Sequence, residues 1–157
     1  MARHLWLLRH GDAVPHGSRP DDDDRELTPK GEGQASLAGR ALARVGVELA
    51  ACYTSPKLRA RDTARLACAE LGVAPEEAPA LAGDFARADA EELLLAHDAD
   101  AHVLLVGHEP DLSQVVLDLT GARVHFRKGG LAAVQVSSAS ELVVLLRPAE
   151  LEPMAGS

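Results

Sequence analysis

One short run constrains this chain more than any other: Val103-Leu104-Leu105-Val106 is apolar without interruption. A strand with one wet face alternates polar and apolar residues. An unbroken run is therefore read as a parallel strand, His102–Val106, buried on both faces. Two further strands are expected at His4–Leu8 and Leu49–Thr54. Helical stretches lie between them. Thr28-Pro29 is an N-cap followed by proline in the first turn, and it opens a helix whose apolar residues Leu37, Leu42 and Val45 lead to Gly46. Ser55-Pro56 repeats that cap chemistry and opens a helix to about Leu71, stopped by Gly72. Pro75–Ala82 reads as a loop with a short extended piece. Ala88–His97, with its acidic start, and Pro110–Leu119, stopped by Gly121, complete the helices.

The last third changes character. Arg123–Phe126, Leu131–Val136 and Glu141–Leu146 are short β-rich runs, the last two forming a hairpin. The whole pattern predicts a single-domain α/β fold: a three-layer α/β/α sandwich with a mostly parallel central sheet and at least one antiparallel strand near the C-terminus. All 157 residues are assigned to one domain, with an ordered core over 3–148, a flexible loop over 14–26 and a C-terminal tail over 149–157. The loop assignment rests on Pro15, Gly17, Pro20 and the acidic run Asp21–Asp24, which reads as a solvated stretch.

The formal charge of −8 disfavours nucleic acid and anionic membrane as partners, while leaving room for a local basic pocket. Cys52 and Cys68 both sit in apolar stretches and are too few for a disulfide framework or a zinc site, so they read as buried thiols in a reducing compartment. No apolar run approaches a membrane span, and no signal peptide is expected, which together predict a cytoplasmic protein. Arginine outnumbers lysine, with Lys30, Lys57 and Lys128 the only lysines. With the high alanine content, that bias suggests a GC-rich bacterial genome. No exposed apolar stripe stands out, so a monomer is expected.

Ligands of an open α/β sheet collect outside the carboxyl ends of its parallel strands. Three expected strands end there in polar residues: Arg9-His10-Gly11, Thr54-Ser55-Pro56 and Gly107-His108-Glu109. Arg59 follows one turn into the helix after the second. Two histidines and two arginines are thus expected at one edge.

The ordered set Leu7-Leu8-Arg9-His10-Gly11, Ser55-Pro56-Lys57-Leu58-Arg59-Ala60-Arg61-Asp62-Thr63-Ala64 and Gly107-His108 resembles the signature of the histidine phosphatases, the phosphoglycerate mutase-like group. Arg9-His10-Gly11-Asp12-Ala13, Leu27-Thr28-Pro29-Lys30-Gly31, Gly107-His108-Glu109-Pro110 and Phe126-Arg127-Lys128-Gly129 are most similar to its SixA-type phosphohistidine phosphatase branch. The resemblance covers roughly residues 3–147. It implies a cofactor-independent and metal-free phosphatase in which His10 carries the phosphoryl group as a covalent phosphohistidine. Arg9, Arg59 and His108 would hold the phosphoryl oxygens, with Gly11, Asp12 and Ser55 also at the substrate. The Gly11 carbonyl would fix the His10 tautomer, and the two arginines would lower its pKa. A cationic His108 would strengthen the pocket's charge.

Many members of that superfamily carry a general acid in an insert, which is compact here. Asp12, Asp84 and Glu109 are the candidate acids. The resemblance implies a phosphohistidine-bearing protein of a phosphotransfer or signalling system as substrate, with inorganic phosphate as product. A phosphorylated metabolite, such as a sugar phosphate or nucleotide, is the alternative, and a non-catalytic phosphate-binding module is the third reading. Ser55 reads first as a helix cap that could orient Arg59. Arg19, Arg25 and Lys30 border the loop and could meet substrate, but read first as solvated charges; Lys128-Gly129-Gly130 reads as a turn, and His4, His16, His97, His102 and His125 as structural.

Overall fold

In the computed structural model, which describes residues 2–156, the continuous apolar run forms β4 (His102–Gly107) at the centre of a six-stranded sheet. Its neighbours are β1 (Arg3–Arg9) and β2 (Ala51–Thr54), both parallel to it. Val103 and Leu105 join the core on one face together with Leu5 and Leu7, while Leu104 and Val106 join that on the other with Trp6 and Leu8. Both faces are dry, as an uninterrupted strand requires. The sheet order is β3-β2-β4-β1-β5-β6. β3 (Pro75–Glu77) pairs parallel with β2, whereas β5 (Leu131–Val136) runs antiparallel to β1 and to β6 (Glu141–Leu146).

Helices α1 (Pro29–Arg44), α2 (Leu58–Leu71) and α5 (Pro148–Ala155) cover one face through Leu37, Leu42, Ala64 and Leu151. Helices α3 (Arg87–Leu95) and α4 (Asp111–Thr120) cover the other through Leu94, Leu112 and Val115. The result is the α/β/α sandwich expected from the sequence. α1 and α2 approach closely at Gly39, where a β-carbon would lie 2.3 Å from the Ala67 carbonyl oxygen. No helix among the described residues is long and apolar enough to cross a membrane. Cys52 and Cys68 are buried and unbonded to each other.

Three sequence expectations are corrected. The C-terminal stretch is not a tail: Pro148 starts α5, and Leu151 is fully buried against the α1 side of the sheet. Arg123–Phe126 forms no strand, because Phe126 turns into the core as a plug while its neighbours remain irregular. The segment over 14–26 is exposed over most of its length, as expected of a solvated stretch, but it is not without structure. Ala13 bridges Leu27, a 3-10 turn spans Asp22–Asp24, and Arg25 points inward.

At the sheet edge away from β4's carboxyl end, His4 and His102 stack with ring centroids 4.4 Å apart. The indole N–H of Trp6 donates to His102 Nδ1 at 2.9 Å. That acceptor exists only while His102 is neutral. Burial first, and then the adjacent His4, push the His102 pKa below its ordinary value, against the opposing field of Asp100. Its folded pKa thus lies below the unfolded one of about 6.5. The stabilisation is complete above that pH and is lost as the pH falls through the folded value. Trp6 is the only tryptophan and reports this directly. Its fluorescence is expected to titrate with a midpoint below about 6.5, in step with a falling Tm, and His102→Asn is expected to remove the transition. A midpoint above the ordinary histidine value would contradict the hydrogen bond.

Candidate active site

The carboxyl ends of β1, β4 and β2 open on one cleft of about 600 Å³, lined by Arg9, His10, Arg59 and His108 among others. Backbone geometry brings the first pair together. His10 N–H donates to the Gly107 carbonyl at 3.1 Å, so the β1 and β4 ends stay in register past the last strand residue. The chain then turns sharply across the first turn of α1. Gly31 permits this crossing, since a β-carbon there would stand 1.9 Å from the Asp12 carbonyl oxygen. Gly11 N–H donates to Thr63 Oγ1 on α2 at 3.0 Å, and Thr63 donates in turn to the Arg59 carbonyl at 2.7 Å. The His10 loop and the Arg59 helix are therefore one hydrogen-bonded unit.

The tautomer of His10 follows from its partner. Nδ1 lies 2.7 Å from the Gly11 carbonyl oxygen, which can only accept. The single proton of a neutral ring must sit on Nδ1, and Nε2 keeps its lone pair. Burial foremost, then Arg59, Arg9 and Arg25, outweigh the Gly11 carbonyl and bring the pKa down to about 4. At neutral pH the ring is uncharged. Burial contributes more than the arginines to which the sequence reading gave this effect. NMR of the ring nitrogens is expected to show the Nδ1–H tautomer and a pKa near 4; a value near the ordinary 6.5 or the Nε2–H tautomer would contradict this geometry.

His108 is also nearly buried, and its ring centroid lies 5.2 Å from that of His10. Burial, followed by His10 and the nearby cations, pushes its pKa down to about 3, so His108 is neutral rather than cationic. Its Nε2 lies 2.8 Å from Ser55 Oγ. A hydroxyl donating there leaves the proton on Nδ1, as a donor. Ser55 is not the cap of α2, whose N-cap is Lys57. It is fully buried beneath His108, accepts from Lys57 N–H at 3.2 Å, and makes no bond to Arg59.

Arg9 and Arg59 are held through their terminal nitrogens, and the Nε of each has no partner within the protein. Arg9 Nη1 donates to the Phe126 carbonyl at 2.8 Å, and Arg59 Nη1 to that of Asp22 at 3.0 Å. Among the described residues, four buried side-chain nitrogens lack a partner within the protein. Three of them, Arg9 Nε, Arg59 Nε and His108 Nδ1, belong to residues of this cleft. Buried donors are rarely left unpaired, and three such nitrogens on residues of one cleft suit an acceptor from outside the chain.

The candidate acids are otherwise engaged. Asp12 Oδ2 accepts from Thr28 at 2.8 Å and Oδ1 faces Lys128 Nζ at 3.1 Å; the Thr28 bond, with Lys128 and Lys30, holds its pKa below the ordinary carboxylate value despite partial burial. Glu109 receives the N–H groups of Ser113 and Phe126, at 2.9 and 3.2 Å, and the Ser113 hydroxyl. It braces the Phe126 plug from the cleft wall. Asp84 is exposed and outside the lining of the cleft.

Arg25, read from sequence as a solvated charge, is 7% exposed and lines the cleft. Its Nε pairs with Asp22 at 2.7 Å and Nη1 donates to the Val14 carbonyl at 2.9 Å. The available signal was alternation: Arg25 and Leu27 are two apart on a bridged extended segment, so the side that buries Leu27 also buries Arg25. Asp22 is likewise no bystander, since its carboxylate stands 3.4 Å from Arg59 Nη2. Arg9, Arg25, Arg59 and Lys128 outnumber Asp12 and Glu109 here, which gives a cationic cleft in a protein of charge −8.

The profile of the histidine phosphatase superfamily (branch 1) matches residues 5–89, and the chain belongs to that superfamily, which makes it an enzyme of the phosphatase class. An uncharacterized protein of Picosynechococcus sp. is 35% identical over 163 residues, covering 95% of this chain and 99% of that one. The protein histidine phosphatase SixA, solved with tungstate, superposes with a TM-score of 0.83 at 25% identity, over 94% of this chain and 99% of its own. The mitochondrial serine/threonine-protein phosphatase Pgam5 of Drosophila simulans is 37% identical over 62 residues, which cover 40% of this chain and only 21% of that protein.

Proposed function

We propose that this protein hydrolyses phosphohistidine in a protein substrate through a covalent phosphoryl intermediate on His10. The observation that carries the reading is that Arg9, Arg59 and His108, each with a buried side-chain nitrogen left without a protein partner, line one cleft with a neutral histidine whose Nδ1 is held by the Gly11 carbonyl. A phosphoryl group brings the acceptor oxygens that those donors lack. Arg9 and Arg59 neutralise its charge, and His108 Nδ1–H adds a further bond as charge spreads over the equatorial oxygens.

In the first step His10 Nε2 forms a bond to phosphorus as the P–N bond of the substrate breaks; the substrate ring enters with a proton on its other nitrogen and leaves as neutral imidazole. The Gly11 carbonyl holds the Nδ1 proton throughout, so the phosphorylated ring is a cationic, good leaving group. Water then attacks phosphorus, the P–Nε2 bond breaks, and inorganic phosphate leaves with His10 restored. An imidazole leaving group departs far more readily than an alkoxide. That difference is what favours phosphohistidine, because Asp12 and Glu109 are committed to Lys128, Thr28, Ser113 and Phe126 rather than free to donate a proton.

A side-by-side assay in EDTA, comparing phosphohistidine with a panel of sugar phosphates, nucleotides and aryl phosphates, tests the assignment. A higher kcat/KM on the phosphoramidate is expected, with activity insensitive to chelation. Faster turnover of one alkyl ester would overturn the substrate assignment and identify a working acid among the cleft carboxylates.

A further inference from the structure

The cleft does not end at Arg9. A second hollow of about 360 Å³ continues from it on the β5 side and shares Arg9, Asp12 and Lys128 as its wall. Beyond that wall stand Lys30, from the first turn of α1, together with His125 and Arg127. Asp12 is the only carboxylate lining this shelf, and Lys128 already pairs with it at 3.1 Å. Four permanent cations thus face one carboxylate, in a chain whose net charge is −8.

The opposite rim carries the other sign. The 3-10 turn Asp22–Asp24 packs against α2 on the β2 side, with Asp21, Asp23 and Asp24 exposed. Asp22 is exposed as well but pairs with Arg25 and Arg59, and Asp23 lies 3.7 Å from Lys57. Because β2 and β5 lie on opposite sides of the β4–β1 pair, the charge gradient runs across the mouth of the cleft. A small phosphorylated molecule uses only the centre. Something larger is oriented by both rims.

We infer that the Lys30–Arg127–Lys128 shelf docks an acidic surface patch lying beside the phosphohistidine of a protein substrate, and that the Asp21–Asp24 rim rejects the reversed orientation. The inference rests on the phosphohistidine reading above. A protein patch fits better than a long polyanion, which the acidic remainder of the molecule repels.

Two short histidine-phosphorylated peptides test it, identical except for a run of glutamates or of lysines on one side of the histidine. Free phosphohistidine serves as the small substrate. At low ionic strength the glutamate peptide is expected to show a kcat/KM roughly tenfold above the lysine peptide, with the preference fading in high salt. The double variant Lys30→Glu/Arg127→Glu, both exposed positions, is expected to abolish that preference through KM. Its turnover of free phosphohistidine, which also reports folding, stays within about twofold. Equal kcat/KM for the two peptides overturns the shelf alone, as does a preference that survives the double variant. An equal loss on free phosphohistidine assigns these residues to the centre and also overturns it. Failure of both peptides and of free phosphohistidine, with an ester still hydrolysed, rejects the phosphohistidine reading and the shelf with it.

Discussion

His10→Ala is expected to lower turnover by about four orders of magnitude or more, as loss of a covalent nucleophile does, while tungstate or phosphate still binds. The two effects separate because different atoms carry them. The lone pair on His10 Nε2 is lost, but the unpaired donors on Arg9, Arg59 and His108 remain. His10 is itself uncharged at neutral pH, so its removal takes no cation from the cleft. Calorimetric titration of the variant with tungstate, beside a steady-state assay, checks both halves. Residual turnover near wild type would reject His10 as nucleophile. Loss of anion binding together with turnover would mean that the substitution collapses the cleft. A wild-type protein that binds phosphate without turning anything over would instead be a recognition module.

The second large effect is expected at Arg59. Arg59→Lys keeps the charge but loses the fork, and kcat/KM is expected to fall roughly 10²–10³-fold, the range seen when one donor to a developing oxyanion is removed. The loss reaches beyond the phosphoryl group. Arg59 also anchors the Asp22 carbonyl at 3.0 Å, and its own carbonyl receives the Thr63 hydroxyl that holds the Gly11 N–H. Only the first of these anchors uses the side chain, so the His10 loop is expected to stay in place while the 3-10 turn loosens. Circular dichroism and Tm close to wild type, with increased proteolytic cleavage near Asp22, would fit that division. Unchanged kcat/KM would remove Arg59 from the phosphoryl site.

Much of the architecture was legible because it follows from local pattern. The uninterrupted Val103–Val106 run specified a strand buried on both faces, and Thr28-Pro29 specified the start of α1, where Thr28 accepts from Gly31 N–H. The meeting of Arg9, His10, Arg59 and His108 followed from one topological rule, since three parallel strands end at one edge. What was not legible depends on contacts distant in sequence. Pro148–Ala155 is helical because Leu151 finds an apolar slot against the α1 face, and nothing within that segment announces the slot. Ser55 has the look of a cap, yet its hydroxyl faces His108, 53 residues away. The Asp21–Asp24 run is exposed, as its composition implies, but the pairing of Asp22 with Arg25 and Arg59 joins residues that no local pattern connects. In the first two cases a tertiary partner overrode a local preference, and in the third it added to one.

The central claim is that phosphorus passes through His10 Nε2. Rapid mixing with phosphohistidine, acid-free quenching and peptide mapping by mass spectrometry test it most directly, with ³¹P NMR of the trapped protein assigning the nitrogen. The account expects a single phosphorylated peptide containing His10, substituted at Nε2 and formed and lost at rates that match turnover. Phosphate on His108 or another residue, or full turnover with no phosphoenzyme at any time, would contradict it.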